Sequence, residues 1–162
     1  MSLSPDALTR RVIAVADERG TRALAARISA IARRRDVITL QGPLGAGKTV
    51  FARGFIAARG LSDEVPSPTF TLVQLYETPD VVIYHFDLYR LERPDDVFEL
   101  GIEEALADGI SLIEWPDRLG PYLPVDRLDV TLASGAGETE RRIELDGAGS
   151  WAPRLDEAAL DA

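Results

Sequence analysis

The run Gly42-Pro43-Leu44-Gly45-Ala46-Gly47-Lys48-Thr49 fits G-x-x-x-x-G-K-[ST], the pattern of a phosphate-binding loop. Backbone N–H groups in such a loop converge on phosphate oxygens, and the dipole of the following helix favours their charge. Gly42, Gly45, Ala46, Gly47, Lys48, Thr49 and Val50 form the nucleotide-contacting set. Lys48 is the only lysine in the chain; every other basic side chain is arginine. A compact ammonium on a flexible stem reaches the β- and γ-phosphates inside a tight loop, where a planar guanidinium is too wide. The ligand this predicts is a nucleoside triphosphate.

A bound triphosphate calls for Mg²⁺, which takes oxygen ligands in octahedral geometry, usually one or two of them from protein. Thr49 is the expected hydroxyl ligand. Glu114 ends the apolar run Ile110-Ser111-Leu112-Ile113 and is the expected acidic ligand, with a solvated strand-end acid as the plain alternative. Asp87 lies in Tyr84-His85-Phe86-Asp87-Leu88-Tyr89-Arg90, where polar groups crowd together after an apolar strand. Such crowding is costly unless the groups line a site. Asp87 is expected to orient or deprotonate the attacking water, or to bind a metal-bound water; a turn-capping or charge-paired Asp is the alternative. Lys48, Asp87 and Glu114 are therefore the catalytic candidates. His85, the sole histidine, has two open readings: support behind the site, or packing.

These residues need elements to hold them. Val37-Ile38-Thr39-Leu40 reads as a buried strand entering the loop, and residues 50–59 as a helix burying Phe51, Phe55 and Ile56, with Gly60 as its stop. Upstream, residues 10–15 read as a first strand. Asp17 then precedes a helix with Leu24, Ile28 and Ile31 on one stripe. Residues 71–76 and 81–86 read as an antiparallel hairpin, as do 127–132 and 140–145. Helical starts follow at Pro94 and Ile102, separated by Gly101, then the strand ending in Glu114. The expected fold is α/β: a three-layer P-loop NTPase fold with a mixed, mainly parallel central sheet. Residues 1–162 read as a single domain, with 150–162 a short amphipathic helix or a frayed tail.

Composition excludes several classes. Cysteine is absent, which removes disulfides, thiolate metal sites and thiol catalysis. No apolar run is long enough to span a membrane, and the N-terminus lacks an apolar signal core, so a cytoplasmic location is expected. A net charge of −9 opposes strong direct binding to nucleic acid. Arg33-Arg34-Arg35 is a candidate basic patch, set against a solvated helix C-terminus complementing the dipole. Asp117-Arg118-Leu119-Gly120 matches the short D-x-x-G of GTPases, but the guanine-reading N-K-x-D cannot occur when the one lysine is in the phosphate loop.

Taken together, the phosphate loop, Ser67-Pro68-Thr69-Phe70, His85-Phe86-Asp87-Leu88-Tyr89-Arg90, Glu99-Leu100-Gly101 and Ile113-Glu114-Trp115 resemble the TsaE (YjeE) family, the ATPase of bacterial threonylcarbamoyladenosine (t6A) tRNA modification. The resemblance covers roughly residues 10–146. It implies ATP hydrolysis (ATP and ADP as ligands, with Mg²⁺) coupled to the partner proteins TsaD and TsaB rather than direct chemistry on tRNA. It places Lys48 and Thr49 on phosphate and metal, Glu114 on Mg²⁺, and Asp87 near the γ-phosphate. Ser67 to Phe70 resembles a switch loop, and Thr21 matches a threonine near the nucleotide base. Arg141 or Arg142 is the arginine approaching the nucleotide from the last hairpin. Pro43, in place of the commoner acid, and the Pro-Asp after Trp115 depart from the family pattern. Two other functions compete: a nucleotide-gated assembly switch with little turnover, and a small-molecule kinase, which the two hairpins fit poorly.

Overall fold

The computed structural model describes residues 8–43, 45–60, 72–158 and 160. Leu44, Thr71 and the Ser67-Pro68-Thr69-Phe70 block lie outside them. Among the described residues, no helix is long and apolar enough to cross a membrane.

The strand entering the phosphate loop is β2, Val37–Gln41, following β1, Leu8–Val15. Val37 to Leu40 is buried at every position, so both faces of β2 must be covered. Five further strands complete the sheet: β3 (Val73–Glu77), β4 (Val82–Asp87), β5 (Ile110–Glu114), β6 (Leu128–Ser134) and β7 (Arg141–Ala148). Their order is β1-β7-β6-β2-β5-β4-β3. The centre is parallel, with β2 between β6 and β5, and β5 beside β4. Antiparallel pairings close both sides: β3 on β4, and β6 on β7 on β1. Both expected hairpins are thus present, and they account for the mixed character of the sheet.

One face is covered by α1 (Glu18–Ile31), α2 (Lys48–Ala57) and α4 (Trp151–Glu157). Asp17 caps α1, its carboxylate accepting the Gly20 N–H at 3.1 Å, and Leu24, Ala25 and Ile28 are buried. In α2, Phe51, Phe55 and Ile56 are fully buried. Helices α1 and α2 touch closely at Gly54, where a Cβ would stand 2.9 Å from the Arg22 Cα. The other face carries α3 (Ile102–Asp108) and two 3-10 helices, Pro94–Leu100 and Pro116–Tyr122. The helix expected at Pro94 is therefore a tighter one, opened by proline and ended by Gly101 at φ 84°.

Two long-range anchors join the ends of the helices. Arg154 of α4 forms a buried two-pronged pair with Asp36, at 2.7 and 2.8 Å, and stacks on Trp151 with 3.9 Å to the ring centroid. Arg59 donates to the Ser29 and Ala32 carbonyls at 2.6 and 2.8 Å, tying the end of α2 to the end of α1. The arginine triplet follows a helix that has already ended at Ile31, because Ala32 is extended. Its members brace loops instead: Arg34 bonds Asp108 and the Asp80 carbonyl, and Arg35 bonds the Ala107 carbonyl.

Candidate nucleotide site

Alternation along a strand decides which side chains can meet. In β4, Ile83 packs with the α1/α2 core, so His85 and Asp87 point to the same face; in β5, Ile110 and Leu112 do, so Glu114 follows them. The parallel register sets Asp87 opposite Glu114. Both acids therefore stand at the C-terminal ends of neighbouring strands. Strand β2 is the next neighbour of β5, and it too ends there, running straight into the glycine loop. Crevices beyond the carboxyl ends of parallel strands are where open α/β sheets bind ligands.

A cavity of about 720 Å³ occupies this position. Gly45, Gly47, Lys48, Thr49 and Val50 line its floor. Gly47 precedes α2 at φ 110°, and its carbonyl accepts the Phe51 N–H at 2.9 Å, which starts the helix within the loop. Ala46 is buried and donates its N–H to the Pro43 carbonyl at 3.1 Å, so it closes the loop rather than lining the cavity. Gly42 also stands outside the lining. A Cβ there would lie 2.3 Å from the Leu132 carbonyl oxygen, so the adjoining strand β6 itself demands a glycine.

The wall is formed by Asp87, Tyr89, Glu114 and Trp115. Glu114 is 5% exposed and bonds the fully buried His85, Oε2 to Nε2 at 2.9 Å. Burial pushes the Asp87 carboxyl above its ordinary value of 3.8; the Tyr89 N–H bond opposes this, the Glu114 carboxylate adds to it, and His85 and Lys48 pull it back. Asp87 accepts that N–H at 3.1 Å. Lys48 makes no ion pair among the described residues; its Nζ lies 5.0 Å from the centroid of the Trp115 ring. Trp115 adopts φ 60°, a left-handed conformation rare for a bulky residue, and strain of this kind collects at functional sites. Tyr89 packs against its ring at 5.0 Å, and the Arg118 guanidinium sits 6.0 Å from the Tyr89 ring.

The far end of the cavity is lined by Glu18 and Thr21 of α1, and by Thr139 and Arg141 of the β6–β7 turn and β7. Of the two candidate arginines, Arg141 lines the cavity, its guanidinium held by the Glu138 and Glu140 carbonyls, while Arg142 is exposed and outside the lining. Glu18 and Thr139 carried no sequence signal beyond an acid after a helix cap and a threonine in a turn. The Thr139 hydroxyl donates to the Ala16 carbonyl at 2.8 Å, which fastens this turn to the start of α1. None of Asp117 to Gly120 lines the cavity.

The donor set suits a hard divalent cation. The Asp87 and Glu114 carboxylates and the Thr49 hydroxyl line the cavity beside the phosphate loop, and no cluster of three or more His, Cys, Asp or Glu that could hold a metal occurs among the described residues. Mg²⁺ held with a nucleotide needs few protein groups, because phosphates and waters complete its shell. Thr49 and Glu114 are the residues that would hold it.

A glycine loop between a central parallel strand and a helix, with acids at the ends of neighbouring strands, defines a P-loop NTPase fold. Comparison with known proteins narrows the class. The family model for the threonylcarbamoyl adenosine biosynthesis protein TsaE matches residues 15–143, and the chain belongs to the TsaE family. The tRNA threonylcarbamoyladenosine biosynthesis protein TsaE of Rickettsia bellii is 41% identical over 116 residues, 71% of this chain and 81% of that protein. The Bacillus subtilis protein of the same description is 39% identical over 131 residues, 80% of this chain and 81% of that one. The crystal structure of Bacillus subtilis YdiB superposes with a TM-score of 0.77 at 29% identity, covering 94% of this chain and 95% of the other.

Proposed function

We propose that the protein is an Mg²⁺-dependent ATPase that serves t6A modification of tRNA in the cytoplasm, together with TsaD- and TsaB-type partners. The observation that carries this reading is the pairing of Asp87 with Glu114 at the ends of β4 and β5, on the face that carries the Lys48 loop. Lys48 and the loop N–H groups bind the β- and γ-phosphates. Thr49 and Glu114 would hold Mg²⁺, which would supply charge neutralisation for the bound phosphates. Asp87 orients the attacking water and accepts its proton; burial raises its carboxyl above the ordinary value, which makes it a better proton acceptor than an exposed aspartate. Thr21, Thr139 and Arg141 contact the base and sugar end. The −9 charge of the chain fits a role exercised through protein partners rather than by gripping RNA.

The test is ATP turnover by the purified protein, alone and with TsaD and TsaB. Turnover is expected to be slow alone and to rise with the partners. Lys48→Ala is expected to weaken ADP and ATP binding by about 10- to 100-fold in calorimetry, since a charge-assisted contact to phosphate is lost. Unchanged binding in that variant overturns the phosphate assignment, and partner binding gated by ATP without turnover selects the assembly-switch reading.

A further inference from the structure

We propose that His85 is a positioning residue for Glu114: it donates its Nε2–H to one carboxylate oxygen and so fixes the orientation in which the acid meets Mg²⁺. This deepens the ATPase reading and rests on Glu114 being a metal ligand. His85 is fully buried, two residues before Asp87 on the same face of β4, and its Nε2 lies 2.9 Å from Glu114 Oε2. That contact needs a proton between the two atoms, since a bare ring nitrogen would face the carboxylate lone pair to lone pair. The other ring nitrogen, Nδ1, is buried with no hydrogen-bond partner among the described residues. A proton there would be a donor stripped of water and given no acceptor. An N–H at Nε2, with none at Nδ1, avoids that orphan donor and gives the bond to Glu114 its proton. Glu114 makes no other side-chain hydrogen bond among the described residues, so one oxygen is anchored and the second remains for a ligand in the cavity it lines. A ligating carboxylate held by an outer hydrogen bond is the usual way such a group is aimed, and loss of the outer partner typically weakens metal binding about 10- to 100-fold.

His85 is the only histidine, so nitrogen-15 NMR of the labelled protein reads a single imidazole. The expected spectrum is the Nε2–H tautomer, with ring signals that move in Glu114→Gln. An Nδ1–H tautomer, or signals indifferent to Glu114→Gln, overturns the proposal. The second measurement is ADP affinity with and without Mg²⁺. In His85→Leu, about 10- to 100-fold more Mg²⁺ is expected to be needed for the metal-dependent gain in affinity, with metal-free ADP affinity as in the wild type. His85→Gln, which carries an amide N–H into the same region, is expected to recover most of the gain. Wild-type Mg²⁺ dependence in His85→Leu overturns the proposal. If the wild type shows no Mg²⁺ effect, the metal role of Glu114 falls, and the positioning role falls with it, whatever the NMR reports of the bond itself. Should His85→Leu fail to fold, the wild-type spectrum and the His85→Gln titration decide.

Discussion

Asp36, immediately before β2, and Glu114, the last residue of β5, are both buried acids at opposite ends of the central parallel strands. Asp36 is saturated: two Arg154 N–H groups and the Arg33 backbone N–H all reach it. Arg154 in turn spends its remaining donors on Ile31 and Ser150. Among the described residues, Glu114 has one side-chain hydrogen bond, with His85, Asp87 accepts one, from the Tyr89 N–H, and Lys48 makes no ion pair. A buried polar group is costly unless its hydrogen-bonding capacity is met. The end that meets it internally is a clamp. The end that leaves capacity over is the one proposed to take a ligand.

Breaking each end separately sharpens the contrast. Asp87→Asn removes the proton acceptor and is expected to lower ATP turnover about 10²- to 10⁴-fold. Arg154→Ala leaves the Asp36 charge buried without its partner. It is expected to cost about 3–5 kcal/mol, a fall of about 6–20 °C in Tm by calorimetry, with nucleotide affinity below the transition unchanged. Asp87→Asn is also expected to raise Tm slightly at neutral pH, the opposite sign from the clamp variant. The raised pKa of Asp87 means that its charged form opposes folding above that pKa. The gain therefore holds at neutral pH and disappears as pH falls through the raised value toward the ordinary 3.8. The exposed pair of Arg34 with Asp108 gives the lower bound: Asp108→Ala is expected to change stability by less than about 1 kcal/mol in denaturant titration. A larger loss there would show that exposure does not separate the pairs.

Local pattern made the elements legible. The β-branched run 37–40, the Asp17 cap, the Phe51–Phe55 spacing and both hairpins are short-range signals, and each corresponds to an element of the fold. The strand-end acids were legible because a strand's period of two fixes the face once one neighbour is known to be buried. That Arg141 rather than Arg142 lines the cavity, and that His85 meets Glu114, depends on the register of β7 and of β4 on β5, which no single segment encodes. The Asp36–Arg154 clamp spans 118 residues and left no local trace, so the tail had both a helical and a frayed reading. The arginine triplet misled because helix α1 ends one residue before Ala32, ahead of the cations expected to complement its dipole.

The first strand, β1, has β7 as its sole partner among the described strands, with Arg11 beside Leu145. A ribosome adding about 5–20 residues per second leaves β1 waiting roughly 7–25 s for that partner. The phosphate strand β2 waits likewise for β5 and β6. The loop that heads the sequence motif therefore cannot be seated in its sheet until most of the chain has been synthesised. Exposure of unpaired strands during translation is the kinetic liability this topology carries.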